Sequence, residues 1–313
     1  LIWYNYIMNK LRYSEMFYSI QGEGRYVGVP SLFLRLFGCN FECPGFGQDR
    51  DKSKWLDHDK MPHNQNHPDV KALVDLPVPH VGCDSSFSWG KKWGHLASND
   101  DIDTLVKKMS TVKWTGDKEF HSSPTAYKLS PCTLQNDAVH LVITGGEPLL
   151  KGFQPALREL INHPDVFTRF VTFETNGTQI FTPDNSPEYI RKFGVNKNSG
   201  ITWSVSPKLS NSGEKWEEAI RPEALASYNA WPYSYLYLKF VVRGEEDMKE
   251  VHEAVKTYDH ARVNIDGVYL MPEGGTDVEL KHNDYKVAKL ALKYGYKYSP
   301  RLHINLFGNE WGT

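Results

Sequence analysis

Val139-His140-Leu141-Val142-Ile143-Thr144-Gly145-Gly146-Glu147-Pro148 is the stretch that decides the fold. Its first half, 139–143, is a short apolar run of the kind that forms a buried strand. Its second half carries two glycines and a proline, which end the strand in a turn. The couplet recurs downstream. Residues 169–173 run into Glu174-Thr175-Asn176-Gly177, 201–205 into Ser206-Pro207-Lys208, and 267–271 into Pro272-Glu273-Gly274-Gly275. A further strand is expected at 235–242 and a last one at 302–306, with helical patterns at 101–109, 153–162, 245–257 and 277–294. Strands alternating with helices predict an α/β fold with a parallel sheet, open or curled into a partial barrel. In such folds the chemistry gathers at the carboxyl ends of the strands, where these polar turns lie.

Upstream, 16–20 and 31–37 read as strands joined through the turn Gln21-Gly22-Glu23-Gly24. The texture changes between 44 and 82, a stretch rich in Asp, Lys, Pro and Asn that holds four of the twelve histidines, His58, His63, His67 and His80. It reads as an insertion in the loop of an otherwise compact unit, with one or two helical turns at 69–76. Residues 111–137 look irregular. Neither a repeat nor a clear linker is visible, which predicts a single domain over 1–313 carrying the 44–82 insertion.

Composition excludes several function classes. The chain is 40% hydrophobic and 24% charged, a globular balance rather than a disordered one. A formal charge of -2 gives no electrostatic argument for nucleic acid or a membrane surface. No apolar run approaches the roughly 20 residues of a membrane span. Residues 1–7 have neither a basic start nor a cleavage site, and Met8 reads as the natural initiator, with the preceding residues either upstream translation or a remnant. Four cysteines in 313 residues are too few for a disulfide framework, which favours a reducing, cytoplasmic setting and turns attention to metal chemistry.

Three of those cysteines matter. Cys39 and Cys43 form a pair in Gly38-Cys39-Asn40-Phe41-Glu42-Cys43, and Cys83 follows in Gly82-Cys83-Asp84-Ser85. Three thiolates can hold three irons of a four-iron cluster and leave the fourth open to a ligand. Thr-Gly-Gly-Glu-Pro suits an amino-acid head group. Its glycines let the backbone approach closely, their carbonyls can accept from an ammonium, and Glu147 adds negative charge.

Together these motifs resemble the 7-carboxy-7-deazaguanine synthases of the radical S-adenosylmethionine superfamily. The likeness covers nearly the whole chain. It runs through Phe17-Tyr18-Ser19-Ile20-Gln21-Gly22-Glu23-Gly24, Arg35-Leu36-Phe37-Gly38-Cys39-Asn40, Cys83-Asp84-Ser85-Ser86-Phe87-Ser88-Trp89, Thr144 to Pro148, Phe173-Glu174-Thr175-Asn176-Gly177, Ser206-Pro207-Lys208 and Arg301-Leu302-His303. The resemblance implies a partial (β/α) barrel in which Cys39, Cys43 and Cys83 ligate a [4Fe-4S] cluster. Gly145, Gly146, Glu147, Thr175, Ser206 and Lys208 would bind S-adenosylmethionine. The implied reaction converts 6-carboxy-5,6,7,8-tetrahydropterin to 7-carboxy-7-deazaguanine with loss of ammonia, a step toward queuosine and other 7-deazapurines. Gln21 and Glu23 suit the pterin's amide and amino groups, Arg35 its carboxylate, and His303 lies where the family has a substrate-side histidine. Ser85 stands where a hydroxyl residue helps to hold Mg²⁺. The likeness further implies a homodimer and a flavodoxin or ferredoxin as electron donor.

The cysteine spacing departs from the familiar Cys-x₃-Cys-x₂-Cys, because thirty-nine residues separate Cys43 from Cys83. Closure entropy grows slowly with loop length, so an insertion is compatible with a shared cluster. Cys132, without an Asp-Ser partner, reads as an ordinary thiol. His63 and His67 have zinc-ligand spacing, but Pro62 and Pro68 flank them and a solvated loop is the better reading. Two other functions compete. An activating enzyme that makes a glycyl radical on a partner protein would share the cysteines but not Gln21, Glu23 and Arg35. A non-enzymatic zinc protein, using the three cysteines and a histidine, would leave the strand-end motifs unexplained.

Overall fold

In the computed structural model the described residues are 9–57, 60–62, 65, 70–112, 140–166, 168, 170–194, 199–308 and 310–312. The expectations for residues 1–7, Cys132, His63 and His67, and for nearly all of 111–137, lie outside them.

A nine-stranded sheet organises the chain. Strand β1 (Lys10–Ile20) lies antiparallel between β2 (Pro30–Leu36) and the edge strand β3 (Ser98–Asp101). From β2 onward every pairing is parallel, through β4 (His140–Gly145), β5 (Phe170–Thr175), β6 (Gly200–Val205), β7 (Ser234–Val242), β8 (Gly267–Pro272) and the two-residue β9 (Lys297–Tyr298). The sheet is open, but its two sides meet at one end. Gly24 donates its N–H to Ser299 Oγ at 2.8 Å, and Leu302 donates to Gly22 O at 2.9 Å. The β1–β2 turn thus reaches the segment after β9, giving the partial barrel expected.

Period-two alternation gives each parallel strand two chemistries. Val171, Phe173, Trp203, Val205, Leu236, Leu238 and Phe240 are almost fully buried in the main core, under the helices. Their neighbours Glu174, Ser204, Lys239 and Val241 line a cavity on the other side. The covering helices are α1 (Ile102–Met109), α2 (Gln154–Asn162), α3 (Pro187–Phe193), α4 (Trp216–Ala219), α5 (Pro222–Asn229), α6 (Met248–His260) and α7 (Asp277–Tyr294). Local signals explain their limits. In α1, Asp101 caps the Thr104 N–H, and Ile102, Leu105, Val106 and Met109 present one buried stripe. A reciprocal Thr276–Glu279 capping box opens α7, and Gly295 at φ 70° ends it.

The expected strand at 302–306 is instead a helix, α8 (Leu302–Phe307). Leu302, Ile304 and Leu306 alternate as a strand would, yet only Ile304 is buried. The sheet had already ended at β9, so no strand edge required their pattern. Edge strand β3, Ser-Asn-Asp-Asp, has no apolar alternation to reveal it. Helices α3 and α5 are short and were not expected, although each opens with proline at its first turn.

The 44–82 segment leaves the sheet and returns to its starting point. Gly82 donates its N–H to Phe46 O at 2.6 Å, closing the loop behind the cysteine pair. Between these ends the described residues include short 3-10 turns at Lys52–Lys54 and Leu73–Asp75.

Candidate functional site

One cavity at the carboxyl ends of the strands receives thirteen of the fourteen singled-out residues, all but Glu147. Cys39 follows β2. The turn after β4 packs against it, with Glu147 donating its N–H to Gly38 O at 2.8 Å. That packing explains the glycines. A Cβ on Gly146 would sit 2.3 Å from Gly38 O and 2.6 Å from Cys39 Cβ, and one on Gly145 would sit 2.3 Å from Leu36 O. The pair lets β4 close on the cysteine loop while both residues still line the cavity.

Cys43 adopts a left-handed conformation, φ 48°, unusual for a residue with a side chain. Its N–H and that of Glu42 both donate to Glu214 Oε1, at 2.7 and 3.0 Å, so the loop after β6 holds the cysteine loop in this bend. Cys83 arrives from the far end of the insertion, and Trp89 Nε1 donates to its Sγ at 3.4 Å. All three thiols are free. Burial pushes Cys39 up to about 12 and Cys83 up to about 11, and raises Cys43 well above its ordinary value. Mutual repulsion among the cysteines adds to this, while Lys208 opposes it. Such a site holds neutral thiols until a metal supplies the positive charge that ionises them.

Among the described residues no three His, Cys, Asp or Glu side chains converge on a single-ion position. A mononuclear zinc site needs that convergence, whereas cluster sulfurs ligate different irons and stand further apart.

Glu147 is fully buried and is not among the cavity-lining residues. Its carboxylate accepts from Thr175 Oγ1 at 2.8 and 2.9 Å, Asn176 N at 2.7 Å and Leu149 N at 2.9 Å. Burial pushes it up to about 7, against the pull of those donors. The negative charge expected beside a ligand ammonium is directed instead at the turns after β4 and β5. Beyond it Ser206 donates its N–H to Thr175 O at 2.8 Å, and Lys208 Nζ reaches Ser206 Oγ at 3.3 Å.

The opposite end of the cavity is dense with charge. Gln21 is buried; its Nε2 donates to Glu174 Oε1 at 3.1 Å and its Oε1 accepts from Glu23 N at 3.1 Å. Glu23 pairs with Lys239 Nζ at 2.5 Å and Arg301 Nε at 3.2 Å. Burial alone would raise its pKa, but Lys239 and Arg301 hold it well below the usual carboxylate range. Arg301 extends the chain to Asp84 at 2.5 Å. Arg35 is held by Glu15 at 2.7 Å and donates to Ser85 Oγ at 3.2 Å. His303, on α8, packs against Gly22, where a Cβ would lie 2.0 Å from its Nδ1. Burial lowers its pKa to about 4, so the imidazole is neutral at physiological pH.

Lys239, Arg301, Asp84 and Glu174 were not among the expected site residues. Lys239 had a signal: a lone lysine inside an otherwise apolar and aromatic strand, Ser234–Val242. Glu174, near the carboxyl end of β5, lay inside a quoted motif and reads locally as a strand-end carboxylate. Asp84 and Arg301 lay inside quoted motifs, but their pairing spans 217 positions and no local pattern announces it.

Comparison with known proteins adds relatives along nearly the full length. The chain is 28% identical to a 7-carboxy-7-deazaguanine synthase from Halobacterium salinarum, in a match covering 95% of this chain and 90% of the relative. It is 26% identical to the enzyme of the same name from Pyrobaculum aerophilum, covering 97% of each. Among solved structures, QueE from Escherichia coli is similar at 18% identity and a TM-score of 0.48, covering 94% of this chain and 95% of that one. No family model matches the chain.

Proposed function

This chain is a relative of the 7-carboxy-7-deazaguanine synthases over nearly its whole length, and we propose that it is an enzyme of that radical S-adenosylmethionine class. The reaction assigned is conversion of 6-carboxy-5,6,7,8-tetrahydropterin to 7-carboxy-7-deazaguanine with release of ammonia, in queuosine or other 7-deazapurine biosynthesis. One observation carries this reading. The cavity walled at one end by three reduced cysteines is walled at the other by Gln21, Glu23 and Glu174 in one hydrogen-bonded set. An amino-pyrimidinone edge offers N–H donors and a carbonyl acceptor, which two carboxylates and an amide match.

When bound, the [4Fe-4S] cluster and S-adenosylmethionine would supply the one-electron chemistry that starts a radical reaction. Cys39, Cys43 and Cys83 would hold the cluster. The backbone of Gly145 and Gly146 would face the cofactor, with Thr175, Ser206 and Lys208 along it. Glu147 would serve that site by fixing the Thr175 hydroxyl and the Asn176 N–H. Gln21 and Glu23 would orient the pterin ring, and Arg35 its carboxylate. Ser85, whose hydroxyl donates to Asp84 and accepts from Arg35, would help to hold Mg²⁺. His303, neutral, would pack beside the ring without adding charge.

The reading extends to a single domain with 44–82 as an insertion, to a homodimer, and to reduction by a flavodoxin or ferredoxin in the cytoplasm. Among the described residues no helix is long and apolar enough to cross a membrane. The test is anaerobic reconstitution with iron and sulfide, followed by incubation with the carboxy-tetrahydropterin, S-adenosylmethionine, Mg²⁺ and dithionite. The expected products are 7-carboxy-7-deazaguanine and ammonia. Cofactor cleavage without either product would overturn the substrate assignment and favour an activating enzyme.

A further inference from the structure

Lys239 lies within a strand whose other residues are apolar or aromatic apart from its first, Ser234. Leu236, Leu238, Phe240 and Val242 enter the helix-covered core, and alternation turns Lys239 to the cavity. Its side chain is 5% exposed. An ammonium buried this far persists only where fixed anions compensate it. Its Nζ lies 2.5 Å from Glu23 Oε2 and 3.9 Å from Glu174 Oε1.

The remaining charges make its place singular. Arg301 approaches Glu23 but is committed to Asp84 and to Gly274 O. His303, from α8, is the other titratable group acting on Glu23, and burial keeps it neutral at physiological pH. Among the described residues Lys239 is the cation in ion-pair range of both Glu23 and Glu174. With Arg35 and its partner Glu15 included, four carboxylates face three cations at this end, an excess of one negative charge. That excess suits a neutral ligand edge rich in N–H donors and disfavours one presenting only acceptors.

We infer that Lys239 is a positioning residue that fixes Glu23 and Glu174 at one spacing, so that both carboxylates accept from the donor edge of the substrate ring. The role rests on the pterin reading above. Lys239 reaches one oxygen of each carboxylate; Arg301 holds the other oxygen of Glu23 and Thr144 that of Glu174, and a carboxylate has acceptor sites beyond these for a ligand. Orientation is set before the ligand arrives, so binding pays little for reorganisation. Glu23, the anion under the nearest cationic influence, is the group whose protonation state depends most on Lys239.

The experiment compares wild type, Lys239→Met, Lys239→Arg and the double variant Glu23→Gln/Lys239→Met, each reconstituted with its cluster. Two activities are read in each, pterin turnover with its KM and substrate-independent cleavage of S-adenosylmethionine, with KM followed from pH 6 to 8.5. Lys239→Met is expected to raise KM about tenfold or more, the scale for truncating one partner of a buried charge pair, and to leave uncoupled cleavage within about twofold. Its KM should worsen as pH falls, because Glu23 without its ammonium takes up a proton at a higher pH, while the wild type stays flat. Lys239→Arg should restore part of the affinity.

Equal loss of both activities in Lys239→Met, or a wild-type pH profile, overturns the role in favour of a structural one. Should Lys239→Met fail to fold, the double variant removes both charges and avoids an orphaned buried ion. It is expected to load iron and to show a raised KM without pH dependence, and a wild-type KM there overturns the inference. The wild-type control separates the two readings. No deazaguanine from the wild type overturns the reaction and this role with it, whereas wild-type turnover with an unchanged KM in Lys239→Met overturns the role alone.

Discussion

The two ends of the cavity solve opposite electrostatic problems. At the cysteine end the thiols are buried, neutral and pushed up by desolvation, with Lys208 the cation acting on all three. At the carboxylate end Glu23, Glu174 and Asp84 are already paired with Lys239 and Arg301. On the proposed reading the first end is completed by a ligand that brings its own positive charge. The second is preorganised by charges on the chain itself and stays ready for a ligand that brings hydrogen bonds. Each end should therefore fail differently when it is cut.

The largest effect belongs to the cysteine end. Cys83→Ala is expected to lower iron from about four per chain to almost none after anaerobic reconstitution, because the cluster loses one of three ligands. Cys132→Ala should keep the wild-type content. Equal iron in both variants would falsify the assignment of the third ligand and erase the contrast between the two ends.

At the other end, Glu23→Ala should reduce deazaguanine formation by about a hundredfold while uncoupled cofactor cleavage stays within about twofold, since a charge-assisted acceptor is lost and the cysteines are untouched. Product and 5′-deoxyadenosine can be quantified in the same reactions by chromatography. Parallel loss of both would mean that the ends act as one unit.

A third cut sharpens the boundary between them. Glu147→Ala strands two buried backbone N–H groups, those of Leu149 and Asn176, and frees the Thr175 hydroxyl. A loss of about 3 kcal/mol in urea-induced unfolding is expected, from roughly 1–3 kcal/mol per orphaned donor. Glu147→Gln retains one acceptor oxygen, so one of the two N–H groups keeps its partner and about half of that loss is expected. If Glu147→Gln abolishes cofactor cleavage with little loss of stability, the carboxylate meets the cofactor directly.

Much of this arrangement could be read in the chain before its structure. Strand ends at Gly145, Thr175 and Ser206 were legible because a buried strand and its turn are both local, and so was Cys83, which carries its Asp84-Ser85 neighbours with it. The alternation of Leu302, Ile304 and Leu306 misled because three apolar residues over five positions fit a strand as well as the short helix α8. Glu147 was legible as a site residue, but the direction of its carboxylate depends on N–H groups of two different turns. Lys239 and Arg301 required more. Their partner Glu23 lies 216 and 278 positions away, and no periodicity connects residues that only the curl of the sheet brings together.

The insertion gives the smallest expected effect and tests whether the contrast depends on it. Gly47 N donates to Glu273 Oε1 at 2.8 Å, and Arg243 reaches both Glu273 and Gln48 O, so the root of the insertion is tied to the ends of β7 and β8 through buried groups. Further out, Arg50 pairs with Asp247 at 3.0 Å and with Glu246, but its side chain is 43% exposed. Exposed pairs of this kind contribute about 0–1 kcal/mol. Arg50→Ala should therefore move the unfolding midpoint very little and leave iron content and pterin KM at wild-type values. Limited trypsin digestion should still cut faster at Lys52 or Lys54, because local opening depends on the tether rather than on global stability. Loss of iron in Arg50→Ala would show instead that the outer insertion helps to hold Cys83 in register with Cys39 and Cys43, and the cysteine end would then be built from both sides of the loop.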